Sequence, residues 1–375
     1  MKPVFAIATN ITSAIGTTTA AHWRAAMTKQ TGIREHHDAS LSEKSFWASR
    51  IDAAAWQHIH NHTRSENLLS PFEELAIYSA KNALETCREE IAPEETVFIL
   101  SSTKGNIEWL GEKDDERILL STSARIIANR LGIKHPPIII SHACVSGVTA
   151  TIYALRLLQS GRYKHAIVTG ADRFTKFVLN GFQSFQAIAD APCRPFDKDR
   201  TGINLGEAAA TIILSTASEN PLAQLIAGST SNDANHISGP SRTGEELALA
   251  INNVLAEAQI DAAEIGIISA HGTATPYNDE MESKAFALSG VSQAPLHSFK
   301  GFIGHTLGAA GVAESAMLIE ALQQQQLIPS PGFETLGVPH PLRVTTETAT
   351  ASIAYALKTA SGFGGCNAAT VWKNR

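Results

Sequence analysis

Several features that would narrow the function of a protein are scarce in this 375-residue chain. No apolar run approaches the ~18 residues of a membrane span, and the run at 4–8 is too short for a signal peptide. The four cysteines (Cys87, Cys144, Cys193, Cys366) form no CxxC pair, which argues against a disulfide framework or zinc knuckle. Thirty Lys+Arg against thirty-six Asp+Glu indicate no surface for nucleic acid. We expect a soluble cytoplasmic protein without a membrane span.

Short apolar runs alternate with amphipathic segments along the chain, a pattern typical of α/β proteins. Strands are expected at 4–8, 97–100, 137–140, 166–169, 209–214, 222–228, 265–269, 351–356 and 368–372. Helices are expected at 73–87, from Cys144 to Gly161, at 245–257, around Phe286 and at 308–323. The similar element order predicts two halves, residues 1–215 and 223–375, although no convincing sequence repeat relates them.

Cys144 is the first candidate for chemistry, because the expected strand at 137–140 turns into a helix there. The free N–H groups and the dipole of a helix N-terminus favour a thiolate. The same N–H groups can form an oxyanion hole for a thioester. The alternative is a buried structural cysteine, the usual role of an isolated Cys.

Two histidines lie in glycine-flanked segments at other strand–helix junctions, where α/β folds place their sites. His271 stands in the segment Ser-Ala-His-Gly-Thr and His305 in the segment Ile-Gly-His-Thr-Leu-Gly. Single histidines in such turns are more often capping or packing residues. Together with Cys144, however, they predict one site assembled from three junctions.

These segments carry a resemblance that covers nearly the whole chain, strongly from residue 137 onward and poorly over 36–136. The chain resembles the β-ketoacyl-acyl-carrier-protein synthases (ketosynthases) of the thiolase superfamily, the condensing enzymes of fatty-acid and polyketide synthesis. The matching segments are 143–147, 170–172, 194–202, 206–209, the HGT segment with Asp279 and Glu282, Lys300 with His305 and Glu314, and the glycine-rich loop 362–367. Together these ordered motifs are highly specific.

The resemblance implies a thiolase-like duplicated α/β/α/β/α layered fold and a decarboxylating condensation. Cys144, in the first half, would accept an acyl group from a carrier-protein thioester. His271 and His305, in the second half, would hydrogen-bond the malonyl thioester oxygen as charge develops during loss of CO2. The backbone N–H groups of Cys144 and Phe363 would hold the other oxyanion.

The resemblance also assigns supporting residues and partners. Lys300 and Glu314 are expected to form a buried charge pair that fixes the His305 segment. Thr273 and Thr275 would line the pantetheine arm, and Phe363 would be the gating aromatic. No resident cofactor is implied, since the substrates are carried on the phosphopantetheine of acyl carrier protein. The partners implied are that carrier and a second ketosynthase-like subunit, in a homodimer or a heterodimer.

The chain departs from the family pattern near the gate, where gating is expected to differ, and in the segment that would dock the carrier, where the departure supports an alternative function. Ser361 stands where a second aromatic is common, and the segment 63–70 carries one cation, Arg64, where a basic cluster usually docks the acidic carrier. The alternative is a non-catalytic partner subunit resembling chain-length factors, although such subunits usually lack the nucleophile. A thiolase or hydrolase fits the His segments less well. We interpret the alternating His58, His60 and His62 as a solvated face rather than a metal site.

Overall fold

The computed structural model describes residues 2–64, 68–235, 237 and 239–375. Its strands are β1 (Phe5–Ser13), β2 (Ile33–His36), β3 (Phe46–Ser49), β4 (Thr96–Ser101), β5 (Ile138–Ile140), β6 (His165–Asp172), β7 (Leu205–Gly206), β8 (Ala208–Ser215), β9 (Ala223–Asn232), β10 (Ile265–Ser269), β11 (Pro295–His297), β12 (Arg343–Val344), β13 (Tyr355–Gly362) and β14 (Cys366–Lys373). Its α-helices are α1 (Thr19–Met27), α2 (Ala53–Thr63), α3 (Pro71–Thr86), α4 (Leu120–Arg130), α5 (Ser146–Gln159), α6 (Lys176–Ser184), α7 (Glu245–Ala258), α8 (Pro276–Leu288), α9 (Lys300–Ile303) and α10 (Ala310–Gln324).

The large sheet repeats one strand order in the two parts of the chain. The order is β12-β11-β10-β13-β14-β9-β1-β8-β6-β4-β5, and a separate small sheet is β2-β3-β7. In the first part, β1, β8 and β6 are antiparallel neighbours, whereas β6, β4 and β5 run parallel. The strands β9, β14, β13, β10 and β11 repeat this arrangement. The two parts of the large sheet are joined where β1 pairs with β9, through Phe5–Gln224 and Ala6–Ala223.

Helices separate and cover the two parts of the sheet. The helix α3 packs on β1, β6 and β8, whereas α7 packs on β9 and β14. Between them, α5 and α10 contact each other and strands of both parts, α5 with β6 and β14 and α10 with β8 and β13. The layers therefore run α/β/α/β/α, and the prediction of a thiolase-like duplicated fold is confirmed.

Two glycines allow the central helices to approach closely beside the predicted nucleophile. A Cβ added at Gly147 in α5 would lie 2.7 Å from the backbone nitrogen of Val312 in α10. One added at Gly311 would lie 2.5 Å from the backbone nitrogen of Val148. Both distances are shorter than side chains tolerate, so this contact between the helix N-termini requires glycine.

The sequence predicts most of the long elements, and it misplaces one strand. The strand expected at 351–356 is wrong: β13 begins at Tyr355 and continues through Lys358 to Gly362. The small sheet and α1, α2, α4 and α6 were not expected. The described helices include none that combines the length and apolarity needed to cross a membrane.

Candidate active site

Cys144 lies in a tight turn between β5 and α5. Ala143 has a left-handed backbone, with φ 45°, immediately before the cysteine. The Ser146 hydroxyl accepts a hydrogen bond from His142 N–H (2.7 Å) and donates one to the Ala143 carbonyl (2.6 Å). The helix itself starts two residues after Cys144. This turn holds the sulfur at the inner end of a cavity, with 8% of the residue exposed.

His271 follows β10 and is held by acidic side chains of α8. The Glu282 carboxylate accepts hydrogen bonds from the backbone N–H groups of His271 (2.8 Å) and Gly272 (2.6 Å). Asp279 accepts one from the N–H of Thr273 at 3.1 Å. Because these carboxylates bind the backbone, the imidazole of His271 stays free to face the cavity that it lines.

His305 is positioned by backbone pairing with a distant segment. Its N–H donates to the Asn204 carbonyl (2.7 Å), and its own carbonyl accepts from the N–H of Gly206 (3.0 Å). Gly304 before it has φ 66°, a conformation that glycine adopts without strain. The motif at 206–209 therefore serves the His305 segment.

The structure brings the three predicted reacting residues together. The Cys144 sulfur and one ring nitrogen from each of His271 and His305 lie within 4.8 Å of one another. The two imidazole rings are 5.4 Å apart and nearly perpendicular, at 85°. Both ring nitrogens of His305 are buried and lack a hydrogen-bond partner among the described residues. A substrate oxygen in the cavity could therefore take that position.

Burial sets the protonation of the three groups. It raises the pKa of the Cys144 thiol to about 11, against a smaller opposing effect of Lys300. Burial, followed by the positive charge of Lys300, holds the pKa of His271 and of His305 well below the usual value. Burial therefore outweighs the preference of a helix N-terminus for a thiolate, and in the resting site a neutral thiol faces two neutral imidazoles.

A buried charge cluster, Lys300–Glu314–Lys358, lies behind the histidines. Lys300 Nζ is 2.6 Å from Glu314 Oε1 and donates to the His271 carbonyl at 2.6 Å. Lys358 Nζ is 2.7 Å from the other oxygen of Glu314. The Lys300–Glu314 pair was expected, and Lys358 was missed. The feature that could have identified Lys358 is its charge, which stands among the otherwise apolar and small residues of β13.

The cavity that ends at Cys144 measures about 500 Å³ and admits a slender substrate. Thr273 and Thr275 line it, and their hydroxyl oxygens are 2.8 Å apart. Ser361, at the position where an aromatic was expected, also lines the cavity and donates to the side-chain oxygen of Asn367 (2.7 Å). Polar groups thus occur along the wall of this cavity.

Aromatic rings surround Phe363, at the loop between β13 and β14. Phe182 stacks on it at 5.7 Å between ring centroids, and Phe185 meets it edge-on at 5.2 Å. Phe182 also contacts the ring of His305, at 6.5 Å. These two aromatics of the α6 segment were not predicted from the sequence, where their apolar character was the one feature that marked them.

The donor set of Cys144, His271 and His305 would also suit zinc by ligand type. A metal needs the thiolate, however, and the Cys144 thiol has its pKa raised to about 11. Two buried ammonium groups that share one carboxylate lie behind the histidines and repel a dication. The arrangement fits a developing oxyanion better than a metal ion.

Other residues considered from the sequence lie outside this cluster. The thiols of Cys193 and Cys366 are buried, which raises the pKa of each to about 11. His60 pairs with Glu74 (2.7 Å), and His58 contacts the Tyr78 hydroxyl (3.0 Å). The glycine-rich loop joins two antiparallel strands, β13 and β14, so it is not part of a dinucleotide-binding βαβ unit.

Comparison with known proteins shows the family of the chain. Residues 1–220 match the family model "Beta-ketoacyl synthase, N-terminal domain", and residues 222–334 match "Beta-ketoacyl synthase, C-terminal domain". A relative from Vibrio cholerae serotype O1, named 3-oxoacyl-[acyl-carrier-protein] synthase 2, is 29% identical over 96% of each chain.

Solved structures show the same fold. A ketosynthase in complex with its chain length factor from Xenorhabdus doucetiae gives a TM-score of 0.87 at 24% identity, covering 100% of this chain and 98% of that one. A type II polyketide synthase acyl-carrier protein in complex with its ketosynthase gives 0.85 at 20% identity, covering 100% of both chains.

The fold and the Cys–His–His cluster define a thiolase-like condensing enzyme. The chain belongs to the β-ketoacyl synthase family, and it is an enzyme of the acyltransferase type.

Proposed function

We propose that this protein is a β-ketoacyl-acyl-carrier-protein synthase that joins an acyl group on Cys144 to a malonyl unit by decarboxylative Claisen condensation. The observation that carries the proposal is the convergence of the Cys144 sulfur and the two imidazoles within 4.8 Å in one cavity. No resident cofactor is needed, since both substrates would arrive on the phosphopantetheine of an acyl carrier protein.

In the first half-reaction the Cys144 thiol attacks the carrier thioester. The new C–S bond forms as the C–S bond of the carrier thioester breaks, and the proton of the Cys144 thiol passes to the departing sulfur, so the carrier leaves as its protonated thiol. The backbone N–H groups of Cys144 and Phe363 hold the oxyanion of the tetrahedral intermediate. The phenyl ring of Phe363 gates the passage from the nucleophile to the malonyl pocket.

In the second half-reaction a carrier-bound malonyl group loses CO2 next to the histidines. The electron pair of the broken C–C bond moves toward the thioester oxygen, giving an enolate. Neutral His271 and His305 donate hydrogen bonds to that oxygen. The enolate carbon then attacks the Cys144 thioester, the new C–C bond forms, and Cys144 leaves as a thiolate that takes a proton from water. Thr273 and Thr275 bind the pantetheine arm, and Lys300 with Glu314 fixes the loop that carries His305.

The partners proposed are an acyl carrier protein and a second ketosynthase-like subunit, either the same chain or a different one. Support comes from the named neighbours, one solved with a chain length factor and one with its carrier protein.

Arg64 is the one cation of the 63–70 segment, in which a basic cluster would dock the carrier; residues 65–67 of that segment lie outside the described residues. We also propose that residues 1–215 and 223–375 act as the two halves of the enzyme.

The test is acylation followed by peptide mass mapping. Incubation with an acyl carrier-protein thioester should place the acyl group on Cys144 and not on Cys87, Cys193 or Cys366. Malonyl-carrier protein should then be decarboxylated with formation of a β-ketoacyl product. Cys144→Ala should abolish condensation. Label on another cysteine, or product formation by Cys144→Ala alone, would contradict the proposal.

A chain-length-factor-like role is the alternative, and co-expression with a second ketosynthase separates the two. In an active mixed dimer, unchanged product formation by Cys144→Ala would assign the chemistry to the partner. Tight and salt-sensitive binding of the carrier by the homodimer would remove the reason for a partner, because steering by surface cations weakens as salt rises.

A further inference from the structure

Lys358 is the one member of the buried charge cluster that the proposed mechanism does not use. It is fully buried in β13 and contacts four acceptors. Its Nζ lies 2.7 Å from Glu314 Oε2 and donates to the carbonyls of Thr359 (2.6 Å), Ser269 (3.1 Å) and Ala270 (3.3 Å). A buried ammonium group requires such partners, since isolating it costs several kcal/mol.

The acceptors show what Lys358 holds in place. Ser269, Ala270 and His271 are consecutive residues at the end of β10, and their carbonyl oxygens all point to the cluster. Lys358 binds the first two carbonyls and Lys300 binds the third. On the opposite side of the turn, Glu282 accepts the N–H groups of His271 and Gly272. The backbone of His271 is thus fixed from both sides.

The cluster also has a charge imbalance. Lys300 and Lys358 share the carboxylate of Glu314, so these three groups together carry one net positive charge. Glu282 is a further buried carboxyl near both lysines; it binds the backbone N–H groups of the His271 turn, and burial raises its pKa. In a buried site the net positive charge of the cluster stabilises an anion in the cavity. The positive charges of Lys300 and Lys358 add to burial in lowering the pKa of His305.

We infer that Lys358 is a positioning residue for malonyl decarboxylation: it holds the His271 turn and supplies the second cation behind the site where the enolate oxygen develops. The inference rests on the proposed function. It predicts an effect on the second half-reaction, in which the negative charge forms at the histidines, and little effect on acylation of Cys144.

The variant that tests this is Lys358→Met, which keeps the side-chain length and removes the charge and the donors. We expect acylation of Cys144 to stay within about threefold of the wild-type rate. Malonyl decarboxylation should fall by about tenfold or more, toward the range for loss of one oxyanion donor. Lys373→Met, at the exposed end of β14, is the matched control and should leave both rates unchanged.

A pH profile separates this role from a purely structural one. The titratable groups around the imidazoles are Lys300, Glu314, Lys358, Glu282, His297 and the Cys144 thiol. Loss of a cation eases protonation of the imidazoles, so the acidic limb of the decarboxylation profile should move to higher pH in Lys358→Met. A variant that is only less stable would keep the acidic limb of its decarboxylation profile at the pH of the wild type.

A second variant covers the case in which Lys358→Met does not fold. Lys358→Met/Glu314→Gln retains Lys300 and has the same net charge as the wild-type cluster. Its acidic limb should lie near that of the wild type, while decarboxylation stays slow because the Ser269 and Ala270 carbonyls lack their donor. Unchanged decarboxylation in either variant, or an equal loss in both half-reactions, would overturn the inference. A wild-type protein that decarboxylates no malonyl thioester would instead refute the proposed function.

Discussion

The backbone N–H of His305 donates a 2.7 Å hydrogen bond to the carbonyl oxygen of Asn204. This bond joins a histidine from the later part of the chain to a segment that precedes β8, in the earlier part. The neighbouring N–H of Gly206 returns a bond to the His305 carbonyl (3.0 Å). The position of the imidazole relative to Cys144 therefore depends on residues about 100 positions away in sequence.

Replacement of His305 should separate the two half-reactions. The imidazole of His305 is expected to bond the malonyl oxygen, whose charge develops only in the second half-reaction. His305→Ala should therefore still acylate at Cys144 while malonyl decarboxylation falls by roughly 10²-fold or more. His37→Ala, at an exposed position outside the cavity lining, serves as the control. An equal loss of both rates would show that the division of labour is wrong.

Gly206→Ala should damage the site through the backbone. The added Cβ would collide with the Ile303 carbonyl oxygen, next to the His305 loop. We expect a loss of about 1–3 kcal/mol in the free energy of unfolding, together with reduced decarboxylation. Gly181→Ala, in α6, meets no atom within 4 Å and should stabilise the protein by up to about 1 kcal/mol. Urea titration measures both changes, and equal stabilities would contradict the prediction.

Alkylation of Cys144 should depend steeply on pH. With a pKa of about 11, only about one thiol in 10⁴ is ionised at pH 7, because each unit below the pKa lowers the thiolate fraction about tenfold. The rate of carbamidomethylation by iodoacetamide, followed by mass spectrometry at Cys144, should therefore rise about tenfold per unit between pH 7 and pH 10. A fast and flat profile would instead reveal a resting thiolate–imidazolium pair.

His22 should make the fold sensitive to acid. Its ring is fully buried between the Ser13 hydroxyl (2.6 Å) and the Thr18 carbonyl (2.8 Å), and burial lowers its pKa to about 4. The unfolded chain takes up a proton near pH 6.5 and the folded one near pH 4. The contribution of neutral His22 to the free energy of unfolding is therefore complete above pH 6.5 and is lost as the pH falls toward 4.

The expected loss from this one group is about 2–3 kcal/mol between pH 6.5 and pH 4.5. His22→Gln should lack this part of the acid response, whereas His37→Gln, at an exposed position, should keep it. Urea titrations at the two pH values give the comparison. The same acid response in His22→Gln and the wild type would contradict the assignment.

From the sequence, the three candidate reacting residues were easier to predict than the packing and the buried charges that hold them in place. Cys144, His271 and His305 could be chosen because each follows an apolar run and lies among small residues. Their distances depend on the packing of α5 on α10, which no local pattern encodes. Lys358 was missed for a similar reason: its partner Glu314 is 44 positions away in sequence, and the lysine obscured the strand in which it lies.

Short elements were the least predictable part of the fold. The strands β2, β3 and β7 have two to four residues each, so their periodicity is too brief to detect. Burial, which depends on tertiary packing, dominates the pKa of Cys144 and outweighs the preference for a thiolate that a helix dipole provides. Local sequence indicates the type of group, and its protonation depends on what surrounds it.

The repeated strand order divides the candidate site between the two parts of the sheet. Cys144 follows β5 in the first part of the sheet, whereas His271 follows β10 in the second, and β1 meets β9 through only two residue pairs. A chain cut between Ser215 and Ala223 would give two fragments, one with Cys144 and the other with both histidines, so neither fragment alone contains the whole cluster. The distances between Cys144 and the two imidazoles therefore depend on the fit between the two parts, and a substitution that moves a strand end in either part changes those distances.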